Sequence, residues 1–417
     1  MPISLDGLRR FAVGRSLFPP TSLKRALENL GFVQADPIRA PARAQDLTLR
    51  HRVKRYRAGD LERLYSTLDI EEDVFVNYGF VTRSLHALMH PRADRSRWAS
   101  GRRSRAQALV EFVRERGEVH PREVDAHFSH GTVTNYWGGS SSATTHLLDD
   151  LHYRGVLRVA RREAGIRIYA TRDHTRGPVD AAARRAQIDA LVDAVVGIYA
   201  PLPGASLSSL VSRLRYAVPQ WRGELKDALQ RAGERLSHAR VGALDWYWPE
   251  DERVPSAAPH NTVRLLAPFD PVVWDRRRFE IFWGWAYRFE AYTPARKRKL
   301  GYYALPLLWR DRVIGWGNVS LENGELHAPR SRSLKSEVHF TPQTSDFRLH
   351  TSDFRPGEGS SHSSERSSSI DANGSAVTVS MPDHVAAIVH RPFSSRRTSS
   401  VRAIGSIIHA CRTLSRA

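Results

Sequence analysis

Residues 102–171 carry the pattern that most restricts what this chain can fold into. Apolar residues recur at helical spacing near 104–116, after Pro121 and over 141–153, and Gly117 follows the first stretch as a helix stop. Two alternating runs, LRVARR and IRIYA, come next, joined by Glu163-Ala164-Gly165. Three helices followed by a β-hairpin predict a winged helix-turn-helix unit. An unrelated helical bundle with an attached hairpin would give the same pattern.

The pattern partly recurs on either side of this segment. Helical stripes at 188–199, 207–214 and 225–236 precede a strand-like VGALDWYW, which predicts a second winged helix. Upstream, residues 23–30 predict a helix that stops at Gly31, and FVQADPI is a short extended run ended by Pro37. Downstream, TVRLLAPF, YRFEAYT, YYALPLLW and VIGWGNVSL favour strands, with Arg310-Asp311-Arg312 as a hairpin connection.

The last part of the chain has a different composition. Residues 331–417 are rich in serine and contain a near-tandem repeat, TSDFRLH followed by TSDFRPG. Such low complexity with few large apolar residues predicts disorder. The expected fold class is therefore α+β, mainly helical, with tandem winged helix-turn-helix domains, a β-rich C-terminal domain and a disordered C-terminal tail. The predicted divisions are a helical or winged-helix region (1–100), two winged helices (101–175 and 180–255), the β-rich domain (260–330) and the tail (331–417).

Charge and cysteine content limit the partners and the compartment. The formal net charge is +19, which favours an anionic partner and most simply nucleic acid, although an arginine-rich genome would also raise it. Cys411 is the one cysteine, which excludes a disulfide framework and fits a reducing, cytoplasmic location. No apolar run is long enough for a transmembrane helix and no signal peptide is recognisable, so no membrane is expected.

Familiar catalytic and metal-binding motifs are missing from the sequence. It has no glycine-rich phosphate loop, no HExxH and no GxSxG. The 18 histidines are scattered, and we expect none of them to pair with carboxylates at ligand spacing. The sequence therefore predicts no cofactor and no metal.

One short constellation remains as a candidate for chemistry. In extended backbone, residues i and i+2 point to the same side, so Gln34 and Asp36 would present an amide and a carboxylate side by side. Together they could hold and polarise a water molecule, and the carboxylate could stabilise a cationic sugar. The alternative is a polar strand end whose Asp36 merely fixes the following turn.

Two longer segments resemble a known family. GFVQADPI with ARAQDLTLRHRV resembles the N-terminal motif region of the winged-helix DNA glycosylases of the AlkZ/YcaQ type, in their Gln-x-Asp form. The block from LAPFDPVVWDRRRF to YYALPLLWRDRVIGW is similar to that family's C-terminal block, and the similarity covers about residues 1–320. The stretch FVNYGF at 75–80 departs from the family, whose members carry a tryptophan-histidine-glutamate-like stretch there.

The resemblance implies a function and roles for two residues. It implies tandem winged helices around a channel, removal of alkylated, cationic purines in base-excision repair, and in some members unhooking of interstrand cross-links. Gln34 and Asp36 would be the catalytic pair, with Asp36 as general base and electrostatic stabiliser and Gln34 positioning the water. The resemblance also implies alkylated double-stranded DNA as the partner, bound by a monomer, with the bacterial nucleoid as the expected location when DNA is bound.

Arginine and lysine side chains are the predicted phosphate contacts. The densest patch, at 296–299, would also suit a solvated loop. The candidates are Arg43, Arg50, Arg52, Arg158, Arg161, Arg162, Arg276, Arg277, Arg278, Arg296, Lys297, Arg298 and Lys299.

Two other readings of the sequence stay open. A winged-helix transcriptional regulator or architectural protein would bind DNA without chemistry and would have no need of the Gln-x-Asp pair. A degraded family member, left poorly folded by its unusual tail, is the weaker possibility.

Overall fold

The computed structural model describes residues 3–92, 98, 100–134, 140–172, 180–254, 261–322, 325–327 and 379–380. Within these ranges the fold is mixed α/β, with thirteen α-helices and small antiparallel sheets. None of the described helices is long and apolar enough to cross a membrane. The predicted disorder of 331–417 falls on a segment of which only 379–380 are described.

Helices and strands are numbered in chain order. The helices are α1 (Leu5–Ser16), α2 (Leu23–Leu30), α3 (Ala44–Leu49), α4 (Asp60–Leu64), α5 (Arg83–Met89), α6 (Ser100–Arg116), α7 (Pro121–Phe128), α8 (Ala143–Tyr153), α9 (Ala181–Tyr199), α10 (Gly204–Arg213), α11 (Leu225–Arg235), α12 (Pro271–Trp274) and α13 (Arg276–Trp283). The strands are β1 (Phe32–Gln34), β2 (Ile70–Val74), β3 (Tyr78–Thr82), β4 (Glu118–Val119), β5 (Thr132–Thr134), β6 (Ser140–Ser142), β7 (Leu157–Glu163), β8 (Ile166–Thr171), β9 (Leu202–Pro203), β10 (Ser237–Val241), β11 (Leu244–Trp248), β12 (Val263–Leu265), β13 (Leu305–Trp309), β14 (Arg312–Gly317), β15 (Ser320–Glu322), β16 (Glu325–His327) and β17 (Val379–Ser380).

The chain divides into two compact units. Unit 1 comprises Met1–Phe18, Pro37–His51 and Val254–Ala417, and unit 2 comprises Pro19–Asp36 and Arg52–Arg253. The division does not follow chain order, since α1 and α3 belong with the C-terminal block. The five-part division by sequence stays a prediction.

Unit 2 contains a similar order of elements twice, and the first copy has an additional strand pair, β5–β6, between α7 and α8. In residues 100–171, the first repeat, α6, β4, α7 and α8 precede the hairpin β7–β8, and β4 pairs with β8. In residues 181–248, the second repeat, α9, β9, α10 and α11 precede the hairpin β10–β11, and β9 pairs with β11. The N-terminal sheet has the same pairing rule, because β1 pairs with β3, the second strand of the hairpin β2–β3.

Local sequence signals explain where these helices begin and end. Pro121 occupies the first turn of α7, where it costs no hydrogen bond, and His120 with Glu123 forms a capping box. Gly117 follows α6 with φ of 77°, a left-handed conformation that favours glycine, and its amide donates to the Val113 carbonyl. The helices and hairpin predicted at 104–171 are confirmed.

Burial of one helix face holds each repeat together. The stripe on α9 is fully buried at Ile188, Leu191, Val192, Val195 and Val196, and each such side chain contributes on the order of 1.5–3 kcal/mol of hydrophobic stabilisation. The three helices predicted for the second repeat are observed as α9, α10 and α11, and the predicted strand is observed as β11.

Unit 1 encloses its own apolar core. Val13 and Leu17, at the end of α1, pack in one cluster with Phe279, Trp285 and other buried residues of the C-terminal block. An ion pair of 3.1 Å joins Arg9 to Asp311. The predicted hairpin is confirmed, because β13 and β14 pair antiparallel and are joined by Arg310-Asp311.

One strand prediction in unit 1 is wrong. The segment YRFEAYT (287–293) has no strand, and two helices, α12 and α13, precede it. Tyr287 is 1% exposed and donates its hydroxyl to the Ala304 carbonyl, and the Glu290 carboxylate accepts main-chain hydrogen bonds from Lys299 and Leu300. Side-chain hydrogen bonds therefore hold this segment in place, and the alternation in its sequence does not correspond to alternating burial.

Candidate active site

Gln34 and Asp36 lie where the short strand β1 ends. Gln34 is the last residue of β1, and the amide of Ala35 continues the pairing by donating to the Tyr78 carbonyl at 3.0 Å. Gln34 and Asp36 are 6% and 8% exposed, whereas Ala35 between them is only partly buried. This alternation of burial is what two side chains on one face of extended backbone would give.

Gly79 allows β3 to approach the catalytic candidate closely. It is the antiparallel partner of Gln34. A Cβ atom at position 79 would lie 2.4 Å from the Val33 carbonyl oxygen, 2.6 Å from the Phe32 ring and 2.8 Å from the Gln34 Cα atom. The segment FVNYGF (75–80) therefore contributes the strand neighbour that lies against the backbone of the Gln-x-Asp segment.

Tyr78 connects this segment to a group of buried acids. Its main-chain carbonyl holds Ala35, and its hydroxyl donates to the Glu72 carboxylate at 2.8 Å. Burial, together with the charge of Glu72, raises the pKa of the Tyr78 hydroxyl well above its ordinary value, so the side chain stays a neutral donor.

Strand β2 places three acids inside unit 2, each of them paired with an arginine. Glu71, Glu72 and Asp73 are 3%, 0% and 2% exposed. The Arg162 guanidinium donates two hydrogen bonds to the Glu72 carboxylate, from Nη2 to Oε2 at 2.6 Å and from Nε to Oε1 at 2.7 Å. Such two-point pairing compensates the burial of both charges.

The flanking acids are neutralised in the same way. Glu71 accepts from Arg158 at 3.0 Å and from Arg172 at 2.9 Å, and Asp73 accepts from Arg92 at 2.8 Å. Burial alone would raise the pKa of the Glu71 carboxyl, but Arg172 and Arg158 outweigh burial and hold it below its ordinary value. Unit 2 therefore carries an ionised network between β2 and the hairpin of the first repeat.

This network uses two of the three arginines predicted to contact DNA from that hairpin. Arg158 and Arg162 pair with Glu71 and Glu72, so their guanidiniums stabilise the fold. Arg161 differs, since it is more exposed and pairs with Glu118 at 2.9 Å and with Glu163. Phosphate contacts from these arginines stay a prediction, for which Arg161 is the best placed.

The arginines downstream of the Gln-x-Asp segment are not equally exposed. Arg43 is the N-cap residue of α3 and Arg50 its C-cap residue, and both are partly buried. Arg52 is 0% exposed. Phosphate contacts from them stay a prediction, and Arg52 as it stands here presents no guanidinium surface.

The arginine triplet of α13 points in different directions. Arg277 is exposed, whereas Arg278 is 2% exposed and donates to the Pro271 and Val272 carbonyls. Arg276 lies over the Tyr287 ring at 4.5 Å and donates to the Val273 carbonyl. Arg277 is therefore exposed enough to make the predicted DNA contact. The Arg278 guanidinium is buried and bonds to main-chain carbonyls, so it is poorly placed for that contact.

The basic patch at 296–299 lies on an ordered loop. Arg296, Lys297 and Lys299 are exposed, while Arg298 donates to the Thr293 and Ala291 carbonyls and stacks on Tyr302 at 5.0 Å. The loop is held from inside, because the buried Glu290 carboxylate accepts from the amides of Lys299 at 2.8 Å and of Leu300 at 2.7 Å. Three cations are thus presented from a fixed backbone.

Sequence reasoning missed a cluster of two histidines and an aspartate. The Nε2 atoms of His86 and His90 lie 3.0 and 2.6 Å from the same carboxylate oxygen of Asp73. The expectation that no histidine meets a carboxylate at ligand spacing is wrong. The signal that could have found it is the spacing of four in His-Ala-Leu-Met-His, which puts two imidazoles on one helical face.

Burial sets the protonation of this cluster. It lowers the pKa of His86, and that of His90 to about 3, against the opposing effect of Asp73. Burial would raise the pKa of the Asp73 carboxyl, but Arg92 and the two imidazole donors hold it well below its ordinary value. At neutral pH the cluster is therefore one carboxylate facing two neutral imidazoles.

Comparisons with known proteins agree with the sequence resemblance. The model of a family described as DNA glycosylase AlkZ-like matches residues 27–337. A solved structure, the Streptomyces sahachiroi DNA glycosylase AlkZ, is similar to this chain with a TM-score of 0.50 and 15% sequence identity, covering 80% of this chain and 93% of that chain. At this identity the structural likeness concerns the fold alone, whereas the family match includes Gln34, Asp36 and strand β3.

Proposed function

Because the chain belongs to the AlkZ-like DNA glycosylase family and is therefore a DNA repair enzyme, we propose that it hydrolyses the N-glycosidic bond of alkylated, cationic purines in double-stranded DNA. The observation that carries this proposal is the burial of Gln34 and Asp36 on either side of Ala35, whose amide is fixed by the Tyr78 carbonyl. An amide and a carboxylate held in this way suit the positioning of a water molecule. Family membership favours this enzyme over the DNA-binding regulator that the sequence left open.

The chemistry asks little of the protein. Alkylation at N7 of guanine or N3 of adenine puts positive charge on the base, so the departing base needs no proton from a general acid. Asp36 would take a proton from the attacking water and stabilise the developing sugar cation, and Gln34 would hold that water. A glycosidase whose substrate is uncharged needs a second carboxyl group, which protonates the leaving group as the bond breaks.

We further propose that the two repeats of unit 2 are winged helices. In both repeats a short strand after the first helix pairs with the second strand of the final hairpin. In such units the third helix and the hairpin are the parts that meet DNA. On this proposal Arg161, on the hairpin of the first repeat, contacts a phosphate. We propose the exposed cations of the 296–299 loop, in unit 1, as additional phosphate contacts.

Comparison of two methylated guanines tests the lesion class. The protein would be incubated with matched duplexes that carry N7-methylguanine or O6-methylguanine at the same position, and released base measured by chromatography. We expect release of the cationic N7 adduct only, because the neutral O6 adduct is a poor leaving group without an acid. Release of neither base, or of both at equal rates, would contradict the proposal.

Cross-link processing needs a separate assay. We propose that two guanines linked through their N7 atoms are also substrates, since each carries the same positive charge as a monoadduct. A denaturing gel of a duplex with one such cross-link would show separated strands after incubation. Intact cross-links in a reaction that releases N7-methylguanine would restrict the enzyme to monoadducts.

A further inference from the structure

We propose that Asp73, His86 and His90 form a binding site for one divalent transition-metal ion, with Zn²⁺ as the expected occupant and a structural role in unit 2. Two imidazole nitrogens converge on one carboxylate oxygen, at 3.0 and 2.6 Å, and the three ligand atoms lie within 4.8 Å of one another. This inference does not depend on the proposed substrate, since it concerns a cluster apart from Gln34 and Asp36.

The fold brings these ligands together from two elements. His86 lies in the last turn of α5 and His90 is its C-cap residue, so their spacing of four places both rings on one face. The rings stack with centroids 4.3 Å apart and an interplanar angle of 19°. Asp73 comes from β2, next to α5. Two histidines and one carboxylate are a known set of three protein ligands for zinc, in which a water molecule would complete the tetrahedral coordination.

Asp73 is oriented by a partner on its other oxygen. Arg92 donates from Nη1 to Asp73 Oδ1 at 2.8 Å, which leaves Oδ2 facing the imidazoles. The rest of the Arg92 guanidinium is held by the Ala217 carbonyl at 2.7 Å and the Val74 carbonyl at 2.8 Å. Such an outer hydrogen bond fixes the direction of a ligating carboxylate.

The donor set and its burial select the kind of metal. Two nitrogens and one oxygen suit Zn²⁺ or Co²⁺, whereas Ca²⁺ and Mg²⁺ favour oxygen ligands alone. Asp73, His86 and His90 are 2%, 5% and 7% exposed, which suits an ion that ties elements together. Arg92 adds positive charge beside the site, and the Asp73 carboxylate that it pairs with is the negative ligand that offsets the charge of the ion.

The first experiment asks whether the wild-type protein binds a metal ion. The full chain would be purified without chelator and its metal content determined by mass spectrometry. It would then be stripped by dialysis against a chelator and titrated with Co²⁺. We expect one ion per chain, visible cobalt absorption and a Tm that rises when Zn²⁺ is added back. Absence of bound metal together with no cobalt absorption and no rise in Tm would overturn the proposal and leave a purely hydrogen-bonded cluster.

Variants then assign the site. H90A and D73N should lose the bound ion and the cobalt absorption. H152Q is the matched control, because His152 is also buried in unit 2 but bonds to the Glu72 carbonyl, at 2.8 Å. Retention of full cobalt absorption in H90A and D73N would place the ion elsewhere and overturn the assignment. If these variants fail to fold, the wild-type measurements still decide whether a metal is bound.

Discussion

Gly79 lies opposite Gln34 in the antiparallel pair of β1 and β3, and the absence of a side chain at position 79 is what allows the two strands to approach. The contacts that a Cβ atom would make are mostly with backbone, at 2.4 and 2.8 Å, and backbone has little freedom to move away. The proposed water-positioning residue therefore depends on a glycine from another part of the chain.

Replacement of Gly79 should disturb Gln34 first. We expect G79A to lower the rate of base release more than tenfold and to cost about 1–3 kcal/mol of stability through overpacking. Glycosylase kinetics and urea unfolding would measure the two effects. G197A is the matched control, since Gly197 lies inside α9 with nothing within 4 Å of its Cβ position. A G79A enzyme with wild-type activity would show that this close approach does not matter.

Two neighbouring arginines should separate folding from DNA binding. R162A leaves the fully buried Glu72 without its two-point partner, and we expect it to cost about 3–5 kcal/mol of stability. R161A removes only surface ion pairs and should change stability by about 0–1 kcal/mol, while weakening DNA affinity. Urea unfolding and fluorescence anisotropy with duplex DNA would measure these effects. Equal stabilities of the two variants would contradict this distinction.

The exposed loop at 296–299 should bind DNA through its charge. The triple variant R296A/K297A/K299A should weaken binding to all duplexes alike and reduce the salt slope of log K by about 1 for each phosphate that the loop no longer neutralises. R25A is the control, because Arg25 is an exposed arginine that pairs with Glu28 within α2. Affinity measured by fluorescence anisotropy across a salt series would detect the change. An unaltered salt slope would show that the loop makes no phosphate contacts.

His152 should make unit 2 sensitive to acid. Burial lowers the pKa of His152, with Asp73 and Glu72 opposing and Arg167 reinforcing the shift, and its ring packs between Tyr78 and Tyr169. The folded state keeps His152 neutral at a pH where the unfolded chain takes up a proton. Stability is then complete above pH ~6.5 and falls as pH decreases, by up to about 1.4 kcal/mol per pH unit for this group.

Unfolding at several pH values would check this sign. H152Q retains a donor for the Glu72 carbonyl but does not titrate, so its stability should fall less steeply between pH ~6.5 and the lowered pKa. If wild type and H152Q lose stability in parallel as pH falls, another group carries the acid sensitivity.

The repeats of unit 2 could be predicted from sequence because their signals are local. Apolar stripes such as Leu147, Leu148 and Leu151 fix a helix face, and Gly165 permits the hairpin turn with φ of 87°. The two-residue strands β4 and β9 escaped prediction, because so short a run has no detectable period. Strand β10 also escaped, since its sequence SHARV is mostly polar.

The features that could not be predicted depend on contacts between residues that are far apart in sequence. The partnership of Gln34 with Gly79 follows from strand register, which no local pattern reveals. The pairing of Arg162 with Glu72 spans 90 residues, so the hairpin arginines looked like surface cations. Within the candidate site, the sequence could name Gln34 and Asp36, whereas the neighbours that hold them required the fold.

The base-release rate of D36N under single-turnover conditions tests the central claim most directly. We predict that N7-methylguanine release falls by about 10²–10⁴-fold while affinity for the damaged duplex stays within about twofold of wild type. D69N is the control, since the side chain of Asp69 is 65% exposed in unit 2 and should leave the rate unchanged. A D36N enzyme that releases base at the wild-type rate would contradict the assignment of Asp36 as the general base.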